Sequence, residues 1–178
     1  MNKTPYFDCS MSVFKHNNMA FYQLKKQQLV HASLDEVWDF ISSPANLKEI
    51  TPPHMGFIVT SEGLPKKMYP GMIISYKVKP MLGIPLTWVT EITQVEEKKF
   101  FVDEQRLGPY AMWHHQHIVE EVDEGVLMTD IVSYKPPMAF LGRIANALFI
   151  RRQLEMIFGY REKAMEARFG KQNTGKTA

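Results

Sequence analysis

Cysteine is nearly absent from this sequence, with Cys9 alone among 178 residues. A single cysteine makes no internal disulfide and supplies no thiolate-rich metal site, so we expect a reducing, cytoplasmic environment. Long apolar runs are also missing: none approaches the roughly 18 residues that span a bilayer, and the first residues lack the apolar stretch of a secretory signal. Charge of one sign is not in excess either, with 21 basic and 19 acidic residues, which argues against nucleic acid as a partner.

The sequence does contain enough apolar material for one core. Its 178 residues and 45% apolar content predict a single compact domain with short extra segments. We expect an N-terminal arm over residues 1–19, because the aromatic residues there show neither a helical nor a strand period. The domain is expected over residues 20–170, and the polar residues 171–178 are expected to be a disordered tail.

The first elements of the domain are predicted from local signals. An extended run over Phe21–Ala32 predicts the first strand. Ser33–Glu36 has the Ser-x-x-Glu spacing of a capping box, and apolar residues at helical spacing then predict a short helix over Leu34–Ser42. A proline that follows a serine opens a second short helix, expected over Pro44–Ile50.

Beyond residue 55, β-branched and aromatic runs recur between turn residues, which predicts an antiparallel meander. Strands are expected at Phe57–Ser61, Met72–Lys79, Leu86–Val95, Phe100–Leu107, Met112–Val122 and Val126–Tyr134. Together with the first strand they make a predicted sheet of seven strands.

The rest of the chain, as far as Phe169, is helical in pattern. Its apolar stripe changes direction between the runs Leu141–Leu148 and Leu154–Phe169. We therefore expect a kink between Ile150 and Gly159, since glycine costs about 1 kcal/mol inside a helix.

This order of elements predicts an α+β fold. Two short helices follow the first strand of a curved antiparallel sheet, and one long kinked C-terminal helix covers its concave face. One helix is too narrow to fill that face. We therefore expect a mainly apolar space between helix and sheet, which is a default site for a small ligand.

Several stretches resemble the START-like or SRPBCC superfamily, and more narrowly its polyketide cyclase/dehydrase-like, often uncharacterised bacterial members. They are the residues 34–40, 83–88, 103–105, 108–110 and 113–117, which read LDEVWDF, GIPLTW, DEQ, GPY and WHHQH. The resemblance covers about residues 20–169 and implies the helix-grip fold. It implies no single function, because the superfamily includes lipid carriers, hormone receptors and aromatase/cyclases.

The candidate catalytic residues are two histidines and two carboxylates. Strand alternation places Trp113, His115 and His117 on one face, and Asp130 and Asp103 on the neighbouring strands are expected to face the same way. Buried carboxylates and imidazoles shift one another's pKa, and a histidine beside a carboxylate can take and return a proton. Such a pair would suit enolisation or dehydration of a carbonyl substrate.

Two other interpretations of these groups stay open. They can satisfy one another as a structural hydrogen-bond network. The His-x-His pattern can also present two imidazoles to zinc, with Asp130 or Asp103 as a third ligand. Spacing alone gives no further ligand, and we expect no metal and no cofactor.

Other side chains are expected to line the space as ligand-binding residues. They are aromatic, flexible or polar groups on the inner face of the sheet and on the helix: Trp88, Gln105, Trp113, Met128, Tyr134 and Phe158. Aromatic and methionine side chains more often fill cores, so each of them also has a purely structural interpretation.

The leading hypothesis for function is therefore a binding protein for a hydrophobic small molecule or lipid. The alternative is a cyclase or dehydratase type of enzyme, in which His115 or His117 is a general base and Asp130 or Asp103 orients it.

A third hypothesis is contact with an anionic membrane surface. Residues 143–178 hold 8 basic and 3 acidic residues, and Arg151, Arg152 and Arg161 are the nearest candidates. We favour the interpretation that these cations belong to a solvated helix face and complement the helix dipole.

Overall fold

The computed structural model describes residues 9–16, 19–79, 84–137 and 149–170. In these ranges the strands are β1 Cys9–His16, β2 Met19–Val30, β3 Ile58–Val59, β4 Met72–Val78, β5 Leu86–Glu96, β6 Phe100–Leu107, β7 Met112–Val122 and β8 Gly125–Lys135. The α-helices are α1 Leu34–Ile41 and α2 Arg151–Phe169, and two short 3-10 helices cover Pro44–Lys48 and Pro53–Met55.

The strands form one open antiparallel sheet in the order β1-β2-β8-β7-β6-β5-β4-β3. The chain therefore runs through β3 to β8 as a meander, and β2 pairs with β8 at the far side. The α+β class and the C-terminal helix are as predicted. The bounds of β6 and β7 are those that the alternation of apolar residues predicts.

The predicted number of strands is wrong, because the described part of the sheet has eight. The additional strand is Cys9–His16, in the segment expected to be an arm, and it pairs with β2 from Cys9↔Lys26 to His16↔Met19. An edge strand obtains its hydrogen bonds from its neighbour and does not need a strong period of its own. Met11, opposite Leu24, packs against the core.

Two predicted elements are shorter than expected. The second helix is a 3-10 helix that ends at Lys48, and the Ser43 side chain makes no capping hydrogen bond to it. The strand predicted from Phe57 contains only Ile58–Val59. Its ladder ends there because the next two backbone N–H groups, of Thr60 and Ser61, both donate to the carbonyl of Ser75, as at a bulge.

Helix α1 begins as its sequence predicts. Ser33 accepts a hydrogen bond from the backbone of Glu36, and Glu36 accepts one from the backbone of Ser33, so two free N–H groups of the first turn are satisfied. Its buried face includes Trp38, which packs edge-to-face on Phe101 of β6 with ring centroids 6.3 Å apart. This contact fixes α1 against the inner face of the sheet.

Helix α2 lies on the same face of the sheet as α1. Gln28 of β2 donates a hydrogen bond of 2.9 Å to the backbone carbonyl of Glu162, and Phe169 packs on Phe40 of α1 with ring centroids 5.7 Å apart. The kink expected between Ile150 and Gly159 does not break the helix, which is continuous from Arg151 to Phe169. The two described residues before Arg151 have π-helical geometry. Neither described α-helix is long and apolar enough to cross a bilayer.

The predicted apolar run Leu141–Leu148 and the predicted tail 171–178 lie outside the described residues.

The core consists of two apolar clusters on the inner face. One joins α1 to β4, β5 and the end of α2, with Trp38, Ile92 and Met165 among its members. The other joins β2 and β8 to the start of α2 through Tyr134 and Phe158. Register shifts between β5 and β6 interrupt their ladder near Thr90 and Thr93, and such bulges bend a strand. The candidate site borders both clusters.

Candidate functional site

A partly open cavity of about 170 Å³ lies between the inner face of the sheet and α2. A buried water molecule needs roughly 10–15 Å³ of such space, so the cavity is large enough for a small organic molecule. Much of its wall is aromatic, from Phe57, Tyr76, Trp88, Phe101, Tyr110, Trp113 and Phe158. Its polar lining includes Asp103, His115, His117 and Arg161.

The polar end is built by the register of three neighbouring strands. Asp103 of β6 is the direct partner of His115 on β7, and His117 is the direct partner of Asp130 on β8. Because side chains alternate along a strand, all four groups share the inner face. The structure therefore brings together the four candidate catalytic residues, His115, His117, Asp130 and Asp103; their roles stay predictions.

Each imidazole lies between the two carboxylates. His115 places Nε2 3.0 Å from Oδ1 of Asp130 and Nδ1 3.3 Å from Oδ2 of Asp103. His117 places Nε2 2.8 Å from Oδ2 of Asp103 and Nδ1 3.0 Å from Oδ1 of Asp130. Both histidines are 5% exposed. Oδ2 of Asp103 thus contacts both rings on one side, and Oδ1 of Asp130 contacts both on the other.

Arg161 of α2 completes this cluster, and its predicted place on a solvated helix face is wrong. The residue is 8% exposed; its Nη2 donates to Nδ1 of His117 at 3.0 Å, and its Nη1 lies 3.5 Å from Oδ1 of Asp130. A buried arginine needs such partners, because an unpaired charge inside a protein is costly. The sequence carries a signal for it: Leu154, Phe158, Arg161 and Met165 are spaced as one helical stripe, and all four are buried.

The two imidazoles have opposite pKa shifts. Burial by itself would lower the pKa of His115, but the carboxylates of Asp103 and Asp130 outweigh it, and the pKa is raised. Burial lowers the pKa of His117, and the charge of His115 lowers it further. These opposite directions favour a charged His115, which donates from Nε2 to Asp130 and pairs through Nδ1 with Asp103. They favour a neutral His117, which donates to Asp103 and accepts from Arg161.

Both carboxylates stay ionised. Burial would raise the pKa of Asp103, but the two imidazoles hold it below its usual range. Burial would likewise raise the pKa of Asp130, but Arg161 and then the imidazoles hold it well below that range. With His115 charged and His117 neutral, two negative and two positive charges cancel, which keeps the buried cluster free of net charge.

The aromatic wall meets the polar cluster at Trp113. Its indole Nε1 donates to Oδ1 of Asp103 at 3.3 Å, and its ring packs edge-to-face on Trp88 with centroids 5.3 Å apart. Trp88 in turn stacks on Tyr76, whose hydroxyl forms a hydrogen bond of 2.7 Å with Thr90. Burial raises the pKa of Tyr76 and of Tyr110, so both phenols stay neutral in the wall.

The predicted ligand-binding residues lie in three kinds of place. Trp88, Trp113 and Phe158 line the cavity. Met128 and Tyr134 are instead buried in the two core clusters. Gln105 lies behind the wall: its amide donates to the backbone carbonyl of Tyr110 at 2.7 Å and its carbonyl accepts from the backbone N–H of Tyr110 at 3.2 Å. Gln105 therefore supports a wall residue.

The cluster has the composition of a metal site as well as that of a proton relay. Asp103, His115 and His117 each offer a ligand atom so that all three atoms lie within 4.8 Å of one another. The remaining histidine of this strand segment, His114, faces the opposite side of the sheet and pairs with Glu104 at 3.0 Å. It provides a natural comparison for the two buried rings.

The fold is shared with solved structures of bacterial proteins. Protein Ms6760 from Mycobacterium smegmatis is 17% identical, with a TM-score of 0.60 over 92% of this chain and 99% of that one. A protein from Arthrobacter aurescens is 11% identical, with a TM-score of 0.63 over 94% of this chain and 98% of that one. No protein-family profile matches the chain, and no curated protein matches it.

One structural neighbour has a named pathway. The di-domain ARO/CYC StfQ, from the steffimycin biosynthetic pathway, is 11% identical, with a TM-score of 0.63 over 84% of this chain and 50% of that one. The present chain therefore corresponds to half of that protein. At such identity the likeness establishes a shared fold and leaves the function to the site.

Proposed function

We propose that the protein binds a small, mainly apolar molecule in the cavity between the sheet and α2. The observation that carries the proposal is the aromatic cavity itself, about 170 Å³ in volume, with a buried cluster of charged groups at one end. Ligand sites in proteins typically combine mostly apolar walls with a few placed polar groups. The shared fold with a di-domain ARO/CYC supports a ring-containing ligand.

The expected ligand is compact. Roughly 25 cal/mol is gained per Å² of apolar surface removed from water, so a two-ring molecule that buries about 250 Å² gains about 6 kcal/mol before the cost of its immobilisation. A long acyl chain would have to leave through the open side of the cavity. We therefore infer that a fused-ring ketone binds more tightly than a fatty acid.

Calorimetry with 2-acetylnaphthalene and with palmitate tests this proposal. We expect saturable binding of the ketone at one site. Ile157→Trp should abolish it, because Ile157 lines the cavity and the larger ring would fill the space. Met156→Trp is the matched control, since Met156 is an exposed neighbour on the same helix. Absence of ketone binding, or equal effects of the two variants, would contradict the proposal; tighter palmitate binding would indicate a lipid carrier.

A second candidate function is acid–base catalysis, favoured by the place of His115 and His117 in the cavity wall and their contacts with Asp103 and Asp130. The simplest reaction is enolisation: the C–H bond next to a carbonyl breaks, its proton goes to the neutral imidazole of His117, and its electron pair forms the enolate. A charged His115 has no lone pair that could take the proton. Proton transfer of this kind would also serve cyclisation or dehydration.

Deuterium exchange into the activated CH₂ group of β-tetralone, followed by NMR in D₂O, tests this candidate. We expect exchange above the buffer rate in the wild-type protein, loss in His117→Gln, and no change in His114→Gln, because His114 lies on the other face. Exchange at the buffer rate in the wild-type protein would reject catalysis and leave binding as the function.

A further inference from the structure

We propose that Asp103, His115 and His117 form a binding site for a divalent metal ion of the zinc class, with Asp130 as the hydrogen-bond partner behind both imidazoles. This inference goes beyond the binding of an apolar ligand and does not depend on it. It also departs from the expectation drawn from spacing alone, because the structure adds a converging carboxylate and a supporting shell.

Three donor atoms, from Asp103, His115 and His117, lie close together. Oδ2 of Asp103 lies 3.3 Å from Nδ1 of His115 and 2.8 Å from Nε2 of His117. In a tetrahedral zinc site with bonds of 2.0–2.2 Å, neighbouring ligand atoms are about 3.3–3.6 Å apart. One ligand atom from each of the three residues lies within 4.8 Å of the other two, so an ion between them would draw them toward this spacing. Two imidazoles and one carboxylate are an established zinc ligand set.

Hydrogen-bond partners lie beside each of the three ligand side chains. Oδ1 of Asp130 lies 3.0 Å from Nε2 of His115 and 3.0 Å from Nδ1 of His117, which are the ring nitrogens turned away from Asp103. In His117 a metal ion on Nε2 would move the ring proton to Nδ1, where a hydrogen bond to Asp130 would replace the one now accepted from Arg161. Trp113 donates to Oδ1 of Asp103, so Oδ2, which faces the two imidazoles, is the oxygen that would bind the ion. Metal-binding histidines almost always donate their other N–H to an acceptor such as a carboxylate, which fixes the ring and raises its basicity.

The position of Arg161 indicates which of the two carboxylates would bind the ion. The distances alone are nearly symmetric between Asp103 and Asp130. Arg161, however, lies 3.5 Å from Asp130, and its positive charge opposes a second cation on that side. Asp103 lines the cavity together with both imidazoles, and Asp130 is not part of that lining. The ion therefore belongs on the Asp103 side.

This placement leaves one coordination position open toward the cavity. Three protein ligands with an open fourth position are typical of catalytic zinc sites, where water or a substrate oxygen completes the tetrahedron. A metal here would therefore contact the polar end of a molecule held by the aromatic wall. Two imidazoles and a carboxylate also suit Fe²⁺, so the identity of the preferred ion is one result of the test.

Metal titration of the chelator-treated full chain tests the proposal. We expect calorimetry to show one Zn²⁺ per chain, and Co²⁺ to give the intense visible absorption of a four- or five-coordinate ion. Asp130→Asn should weaken Zn²⁺ binding about 10–100-fold, because it removes the supporting acceptor. Asp103→Asn and His117→Gln should each weaken it more than Asp130→Asn does, because they remove ligands.

His114→Gln is the matched control, since it removes a histidine of the same strand on the opposite face, and it should leave Zn²⁺ binding unchanged. Because ligand variants can misfold, the wild-type protein provides a second measurement: in nitrogen-15 NMR spectra, Zn²⁺ should shift Nδ1 of His115 and Nε2 of His117. The proposal is overturned by the absence of saturable binding, by unshifted ring nitrogens, or by equal losses in His114→Gln and His117→Gln.

Metal binding and ligand binding can fail separately. Ile157→Trp fills the cavity wall but leaves the three metal ligands in place, so it should keep Zn²⁺ affinity and lose 2-acetylnaphthalene. A protein that binds the ketone but no metal would reject this inference alone, and one that binds metal but no ketone would reject the proposed ligand alone.

Discussion

Arg161 of α2 donates a hydrogen bond of 3.0 Å to Nδ1 of His117 on β7, across 44 residues of sequence. The same guanidinium lies 3.5 Å from the carboxylate of Asp130. This pair of contacts connects the helix that covers the cavity to the charged groups at its polar end. It also makes the stability of the fold dependent on the buried guanidinium of Arg161.

Arg161→Met should destabilise the protein by about 3–5 kcal/mol, because removing one partner of a buried ion pair leaves an uncompensated charge on Asp130. Urea unfolding measures the effect. Arg151→Met is the control: its partner Glu155 lies one turn along the same helix and both side chains are exposed, so a change of only about 0.3–0.5 kcal/mol is expected. Arg161→Met with Asp130→Asn should recover part of the loss, and equal effects of the two single variants would contradict this account.

The two buried histidines should titrate on opposite sides of the ordinary value of about 6.5. Nitrogen-15 NMR of the chelator-treated protein should show the pKa of His115 raised and that of His117 lowered, as burial and the neighbouring charges require. A common pKa for both buried rings would contradict the assigned proton positions.

The pKa shifts of the buried groups predict how the free energy of unfolding depends on pH. Because the folded-state pKa of His115 is raised, its contribution is fully present below about pH 6.5 and is lost as the pH rises through the folded pKa. The folded-state pKa values of Asp103 and Asp130 are lowered, so their contributions are present above about pH 4 and are lost as the pH falls through those values. Unfolding measured across this range in Asp130→Asn should show a weaker loss of stability at acid pH than in the wild-type protein.

Gly108→Ala should destabilise the protein by about 1–3 kcal/mol, as overpacking does. A Cβ atom at Gly108 would lie 2.4 Å from Oε1 of Gln105, and Gln105 holds the backbone of Tyr110 in the cavity wall. Gly159→Ala is the opposite case, since its Cβ would meet nothing within 4 Å on α2. It should stabilise the protein by about 1 kcal/mol. Thermal unfolding compares the two, and a neutral Gly108→Ala would reject the proposed support of Tyr110 by Gln105.

Removal of residues 1–18 should promote association of the protein. The deletion takes away β1 and leaves the hydrogen-bonding groups of β2, from Met19 to Lys26, without their partner strand. An exposed edge of this kind pairs readily with another chain. Light scattering at several protein concentrations should show a larger apparent mass for the shortened chain than for the full one. An identical mass at all concentrations would indicate that β1 does not protect the edge.

Much of the sheet could be predicted because buried and more exposed side chains alternate along most of its strands. In β7 the order Trp113, His115, His117 and Val119 on one face follows from strand period alone, and the structure buries that face as expected. The capping box at Ser33 is a local signal and is likewise present. Strand β1 could not be predicted, since its pairing depends on β2 and its own sequence has no clear period.

The site shows where sequence reasoning ends. Strand alternation placed the carboxylates and imidazoles on one face, but it could not give the register that sets Asp103 opposite His115. The basic charge of the C-terminal segment places Arg161 on a solvated face, where its cation would complement the helix dipole, although its position in an apolar stripe indicates burial. Met128 and Tyr134 face inward as predicted, yet packing encloses them completely, and only three-dimensional contacts distinguish a core side chain from a cavity wall.

The contacts of Arg161 join the covering helix α2 directly to the buried charges beneath it. A guest large enough to lift α2 from the sheet would draw the guanidinium away from Asp130, and the two imidazoles would then be the nearest counter-charges for that carboxylate. Filling the cavity and redistributing protons among the histidines would in that case be one event. Binding of such a molecule in the cavity would then be accompanied by uptake of a proton.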